Sequence, residues 1–264
     1  MSPLSSHEQE LQRAYNDFYA ARISTDLLAR LYQEALGDAF PAEVAAFGAC
    51  DWDLLGTLAA RLRLRPGQTL ADIGCGTGGI GLWLARALAV ELVGLDISSI
   101  AVQYAQQRRT KFVPAERARF QVGTVRATGL PDRSMDGVVL VDVPGREDDW
   151  KAALVEIHRV LAPGGRAVLT RSMPHSAATG TKWREQAEAY EFEIDHVDNR
   201  PEEPEIWRML YRLWIEREND LRRELGDDET ESMLQEANRV LPLLDSYRAL
   251  VITLRRPAES APLR

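Results

Sequence analysis

Apolar residues Leu11, Tyr15, Phe18, Tyr19, Ile23, Leu27 and Leu31 recur at spacings of three and four. That period sets them on one stripe and predicts helix from Ser5 to about Leu36. A second helix is expected from about Trp52 to Leu62. The pattern then changes to short apolar runs alternating with helical ones. Strands are expected over 69–73, 91–95, 119–124, 137–141 and 166–170, and helices over 78–87, 99–109 and 148–161. Such alternation implies a parallel sheet covered on both faces by helices. Two more strands are expected over 192–197 and 247–254, with a charged helical stretch from Pro204 to about Leu241 between them. The fold class is therefore α/β: a mostly parallel seven-stranded sheet, helices before it, and a helical insert before the last strand. Arg200-Pro-Glu-Glu-Pro-Glu205 reads as a linker-like turn.

The first strand runs into Leu70-Ala-Asp-Ile-Gly-Cys-Gly-Thr-Gly-Gly79, and a helical segment follows. Strand, glycine loop and helix in that order make a nucleotide-binding loop. Glycine lets the backbone turn sharply and approach a ligand, and the helix start leaves N–H groups free. Two patterns fit. Gly74, Gly76 and Gly79 satisfy the dinucleotide spacing; Gly74, Gly76 and Gly78 satisfy D-x-G-x-G-x-G. Asp72, two residues before the first glycine, would repel a pyrophosphate and suits an ammonium or ribose hydroxyls. Asp96, at the end of the second strand, can accept both hydroxyls of a ribose from either kind of cofactor, or cap the helix that begins near Ser98.

Downstream, Leu130-Pro-Asp-Arg-Ser-Met-Asp136 and Arg159-Val-Leu-Ala-Pro-Gly-Gly165 follow the glycine loop in order. With these the chain resembles the class I S-adenosylmethionine-dependent methyltransferases, closest to the small-molecule branch of quinone and natural-product enzymes. The resemblance covers about Leu64 to Val197. It implies a Rossmann-like fold, S-adenosylmethionine as cofactor and S-adenosylhomocysteine as product. It also implies a methyl transfer to an O, N or C atom of a small-molecule acceptor, in natural-product biosynthesis. By resemblance, Asp72, Gly74, Cys75, Gly76 and Gly78 line the methionine portion, Asp96 takes the ribose and Ile97 packs on adenine. The usual acid at the adenine site falls on Arg126, which cannot accept a hydrogen bond. It can stack over the ring or point to solvent, while the Ala127 N–H serves adenine. Val141, at the end of the fourth strand, joins the cofactor set. The expected division is 1–62, an N-terminal helical lid; 63–198, the cofactor-binding core; 199–245, a helical insert acting as acceptor pocket or cap; and 246–264, the last core strand and tail.

Composition narrows the partners. A net charge of −8 and a pI near 5.2 argue against a nucleic-acid backbone as ligand. Cys50 and Cys75 are too few for a disulfide framework or a thiolate metal centre. No apolar run of about 18 residues suggests a membrane span. The N-terminus lacks a basic and an apolar signal region, so a cytoplasmic monomer or homodimer is expected.

Methyl transfer asks for alignment, exclusion of water and, for a hydroxyl acceptor, a base. Two candidates follow the fourth and fifth strands, Asp142 and His175; either could equally be an ordinary loop residue. Many relatives carry a histidine in the loop after the fourth strand, where this chain has Val143-Pro-Gly-Arg146. His158 reads as structural, and His7 and His196 have no motif context. In the insert, Trp207, Leu210, Tyr211, Trp214 and Leu221 form an apolar stripe. It either packs against the sheet edge or presents Trp207, Tyr211 or Trp214 to an apolar acceptor. Tyr15 and Tyr19 offer the same choice in the first helix. Glu202, Glu203 and Glu205 read as solvated. A nicotinamide oxidoreductase and a protein using the cofactor only as a scaffold, for ring formation or for binding alone, stay open as alternatives.

Overall fold

The computed structural model describes residues 4–143 and 147–258; residues 144–146, within the loop singled out after the fourth strand, lie outside it. The first helix, α1 (Ser6–Arg22), starts at a reciprocal cap. The Ser5 hydroxyl accepts from the Glu8 N–H at 3.3 Å and Glu8 Oε2 accepts from the Ser5 N–H at 2.9 Å. The continuous helix expected to Leu36 is instead two. Ser24-Thr-Asp26 breaks it, with Thr25 Oγ1 accepting from the Leu27 N–H at 3.1 Å where α2 (Leu27–Leu36) begins. Short polar side chains that bond nearby backbone compete with helix. The four-residue period survives the break because Leu27 and Leu31 remain on the buried side of α2.

After α3 (Trp52–Leu62) the core follows as β1 (Thr69–Ile73), α4 (Gly79–Leu88), β2 (Glu91–Asp96), α5 (Ser99–Arg108), β3 (Ala118–Val122), β4 (Met135–Leu140), α6 (Glu147–Val160) and β5 (Leu161–Pro174). Then come α7 (His175–Thr179), α8 (Lys182–Ala189), β6 (Glu193–Asn199), α9 (Glu203–Glu216), α10 (Glu218–Leu225), α11 (Asp227–Val240) and β7 (Tyr247–Arg255). The seven strands form one sheet in the order β3-β2-β1-β4-β5-β7-β6. Pairing is parallel from β3 to β5, and β7 runs antiparallel to both β5 and β6. The three helices before β7 let the chain return from the opposite end, so no right-handed crossover is needed. β5 is far longer than expected. Its pairing with β7 continues to Pro174↔Tyr247, so residues 171–174 project beyond the ends of β1 and β4.

Leu54, Leu58, Leu82 and Val168 pack on one face of the sheet with α3 and α4; Leu154, Ile157, Leu169 and Ile252 pack on the other with α6. A third cluster lies off the sheet. Leu28, Leu31 and Tyr32 of α2 meet Leu210, Tyr211 and Trp214 of α9 and Met233 of α11. The apolar stripe of the insert is thus answered mainly by the N-terminal helix α2. Burying a leucine such as Leu210 contributes roughly 1.5–3 kcal/mol, so α2 and the insert helices hold each other in place. Among the described residues no helix is long and apolar enough to cross a membrane.

Candidate active site

β1 and β4 are neighbours, and from them the sheet grows in opposite directions. At such a switch point a crevice opens outside the carboxyl ends of the strands. A cavity of about 640 Å³ lies there. Its floor is the glycine loop, where the Gly74 and Cys75 N–H groups both donate to Leu95 O, at 2.7 and 2.9 Å. Gly74 and Gly76 adopt φ of 75° and 52°, a region that disfavours side chains. A Cβ on Gly76 would stand 2.7 Å from the Tyr19 hydroxyl, and one on Gly74 would collide with Val143.

Asp96 sits in the wall. Its Oδ2 accepts from the Gly76 N–H and its Oδ1 from the Ser98 N–H, both at 2.8 Å. The helix cap is Ser98, whose hydroxyl accepts from the Ala101 N–H at 3.2 Å, so Asp96 is not the cap. Burial raises the Asp96 carboxyl above the ordinary range, and these amides partly offset it. Two lone pairs per oxygen leave acceptor capacity toward the cavity.

α1 lies across the mouth. Gln12 Nε2 donates to Ile97 O at 2.9 Å, and Asn16 Oδ1 accepts from the Ser98 hydroxyl at 2.8 Å. Tyr15, Phe18 and Tyr19 line the cavity beneath it, with Phe47 opposite. Burial raises both tyrosine hydroxyls, so they stay neutral. Glu8 is held low first by the Ser5 backbone, and then by the Thr124 hydroxyl and the Arg126 charge. Arg126 therefore faces α1 as well as the cavity.

A second cavity, of about 400 Å³, adjoins the first and shares Val125, Asp142, Val143, Trp207 and Arg239 with it. Tyr211 lines only the smaller one and donates to Glu236 Oε1 at 2.9 Å. Asp142 stands at the junction in a left-handed conformation, φ 53°, which is strained for a side-chain-bearing residue. Thr170 Oγ1 fixes it, accepting from the Asp142 N–H at 2.9 Å and donating to Oδ1 at 3.1 Å. The Asp142 side chain is exposed to the cavity, whose walls crowd water from the carboxyl. Burial raises it, against the nearby Arg200 charge and bonds from Thr170 and the Ala49 N–H.

Arg200 organises this corner. It pairs with Glu203 and with Asp51 Oδ2 (3.3 Å), and donates to Ala49 O at 2.8 Å. Glu203 also accepts from the Ser172 hydroxyl at 2.7 Å. Burial, and after it the Asp142 charge, raise the Glu203 carboxyl. Two carboxylates thus pair with one guanidinium, whose charge also acts on Asp142; of these groups Asp142 and Glu203 line the smaller cavity.

A methyltransferase domain family model matches residues 70–165. An O-methyltransferase of Pyrenophora dematioidea is 33% identical over 106 residues, which are 40% of this chain and 40% of that protein. The 27-O-demethylrifamycin SV methyltransferase of Amycolatopsis mediterranei is 33% identical over 162 residues, 61% of this chain and 57% of that one. Residues 70–165 thus carry a methyltransferase domain. The match spans about half or less of most of these relatives' lengths, 40% to 57% in the two cases given. In solved structures the [4+2]-cyclase SpnF is similar in fold, with a TM-score of 0.73 at 20% identity, over 97% of this chain and 98% of that one.

Against the expectations for this family, the geometry brings most of the site residues together. Gly74, Cys75, Gly76, Asp96, Ile97, Arg126 and Val141 line the larger cavity, as do Tyr15 and Tyr19; Asp142 and Trp207 line both. Five positions differ. Asp72 is absent from the cavity wall; its Oδ2 accepts from the Gly81 N–H at 3.1 Å, beneath the loop. Gly78 is also outside it, and a Cβ there would press on Ala105 and Phe120 at 2.9 Å, so this glycine admits α5 and β3. The Ala127 N–H, expected for adenine, is taken by the Thr124 carbonyl and hydroxyl, both at 3.2 Å. His175 lines neither cavity: the extension of β5 carries it outward, and its Nε2 lies 3.1 Å from Asp245 O. Glu203, read as solvated, is 4% exposed, and the linker-like turn that Arg200 opens is anchored in the core.

No sequence pattern marks the contacts that Gln12 and Asn16 of α1 make, or the Arg200 cluster. Polar residues on an exposed helix face carry no periodic signal, and a buried ion pair looks like a charged surface until its burial is known. The capping box at Ser5 and Glu8 was legible as a pattern.

Burial pushes the Asp72 carboxyl up to about 7; the Gly81 N–H opposes this and the Asp96 charge adds to it. The folded protein therefore keeps a proton that the unfolded chain releases. This contribution favours folding at low pH and is lost as pH rises from about 4 to about 7. Asp72→Asn keeps an acceptor for Gly81 without the titration. The stability of the wild type relative to this variant should fall across that window in urea denaturation at its two ends. An unchanged difference would contradict the assignment.

Proposed function

We propose that the chain transfers a methyl group from S-adenosylmethionine, held in the larger cavity, to a hydroxyl of a small acceptor entering by the smaller one. The observation that carries this reading is the junction: the two cavities meet at Asp142, beside Val143, which closes against the glycine loop. The residues present fit the cofactor. The glycine cradle would be filled by a Cβ at Gly74 or Gly76, Asp96 offers free lone pairs to ribose hydroxyls, and neutral Tyr15 and Tyr19 roof the site.

The sulfonium supplies an already activated methyl. What remains falls to the protein. α1 and its aromatic residues exclude water, a closed environment that such transfers require. Trp207 and Tyr211 give the acceptor apolar faces. Asp142, its carboxyl raised by burial, takes the hydroxyl proton as methyl transfer proceeds.

Turnover of S-adenosylmethionine to S-adenosylhomocysteine with a panel of hydroxylated small molecules tests the reading. Cofactor bound but never consumed would favour a scaffold role instead. A second expectation concerns Asp96. Asp96→Ala should weaken S-adenosylhomocysteine binding in calorimetry by roughly 1–3 kcal/mol, the cost of leaving polar partners unpaired. Undiminished affinity would place the ribose elsewhere.

A further inference from the structure

The smaller cavity holds a charge pattern that proton removal by Asp142 does not use. Successive side chains of a strand point to opposite faces, and β5 applies this along the cavity wall. On one face Thr170 bonds Asp142 and Ser172 bonds Glu203. On the other, Leu169 joins the core cluster that contains Trp150, and Arg171 follows two residues on. The Arg171 guanidinium lies 4.1 Å from the centre of the Trp150 ring, and both residues line the cavity.

Among the described residues neither Arg171 Nη1 nor Nε1 of Trp150, a residue only 7% exposed, has a hydrogen-bond partner. Among the described residues no carboxylate pairs with Arg171, and burial alone acts on its charge, pulling it below its ordinary range. A half-buried cation without a counter-charge is costly. Most other arginines in this corner are neutralised: Arg200 by Asp51 and Glu203, Arg208 by Glu205 and Asp245. Arg239, which also has no ion pair among the described residues, adds a second positive charge to the same wall. A guanidinium fork suits a carboxylate or phosphate, and its stacking on Trp150 fixes the plane in which it binds. The carboxylates of Asp142 and Glu203 repel an anion from their side, which leaves the Arg171 face to receive it.

We propose that the acceptor carries an anionic group, a carboxylate or a phosphate, seated on Arg171 against the Trp150 ring, with the reacting hydroxyl at Asp142. This rests on the methyl-transfer reading above. A volume near 400 Å³ accommodates a small aromatic or aliphatic acid beside the cofactor cavity.

The test is calorimetry on protein loaded with S-adenosylhomocysteine, using three matched probes: 4-hydroxybenzoate, 4-hydroxyphenyl phosphate and uncharged 4-hydroxybenzamide. At least one anion should bind ten-fold or more tightly than the amide, and the comparison between anions tells carboxylate from phosphate. Arg171→Met should abolish that preference and Arg171→Lys retain part of it, with S-adenosylhomocysteine affinity unchanged in both. Arg171→Met should also unfold at no lower urea concentration than the wild type, because it removes an uncompensated cation. The proposal is overturned if neither anion binds, if the amide binds as well as the anions, if the preference survives in Arg171→Met, or if that variant is clearly less stable. Failure of S-adenosylhomocysteine itself to bind would instead overturn the reading underneath.

Discussion

Gly76→Val should abolish binding of S-adenosylmethionine and S-adenosylhomocysteine while leaving the sheet folded. Two effects act together. The backbone at Gly76 has φ 52°, where a β-branched residue is strongly disfavoured. Its Cβ would also point into the space between the loop and Tyr19, 2.7 Å from the hydroxyl. The same peptide N–H donates to Asp96, so a distorted loop also misplaces the carboxylate assigned to the ribose. A loss of at least a hundred-fold in affinity is expected, about 2.7 kcal/mol or more. Circular dichroism and calorimetry on one preparation check it. Folded protein with unchanged affinity would show that the glycine loop is not the site.

Asp142→Asn should lower kcat for a hydroxyl acceptor by about 10²–10⁴ and leave cofactor affinity within a few-fold. The amide can still accept from Thr170, so the local geometry is preserved while the base is lost. In the wild type, kcat should rise with pH through the raised value of the Asp142 carboxyl, because only the carboxylate can accept the proton. The variant should lose that rise. His175→Ala is the companion measurement, and near-wild-type rates are expected of it, since His175 lines neither cavity. A loss confined to the His175 change would move the base there. Full activity of both variants would point to alignment alone, or to an acceptor atom that needs no base.

The two candidate bases show where sequence reasoning holds and where it stops. The glycine loop and Asp96 were legible because strand, tight turn and helix are local events, each with its own residue pattern. The seven strands were legible for the same reason, and even the antiparallel last strand leaves its apolar run intact. His175 could not be placed from sequence, since nothing in Ser172-Met-Pro-His175 reveals that β5 continues to Pro174 by pairing with β7. Asp72 has the right spacing for a ligand carboxylate, yet the side chain turns back to the Gly81 N–H, a tertiary contact that the motif does not encode. Trp207, Tyr211 and Trp214 share one stripe but not one role. Trp214 is 1% exposed in the cap core, while Trp207 reaches both cavities. Period alone cannot separate them, because the helix surface that meets α2 grades directly into the surface that meets the cavity.

The crevice over β1 and β4 should take S-adenosylmethionine rather than a dinucleotide. Titration calorimetry of the wild-type protein with S-adenosylhomocysteine and, separately, with NAD tests it most directly. One saturable site for S-adenosylhomocysteine is expected, weakened by Asp96→Ala and lost in Gly76→Val, with no heat from NAD. Tight binding of NAD with no response to S-adenosylhomocysteine would contradict it.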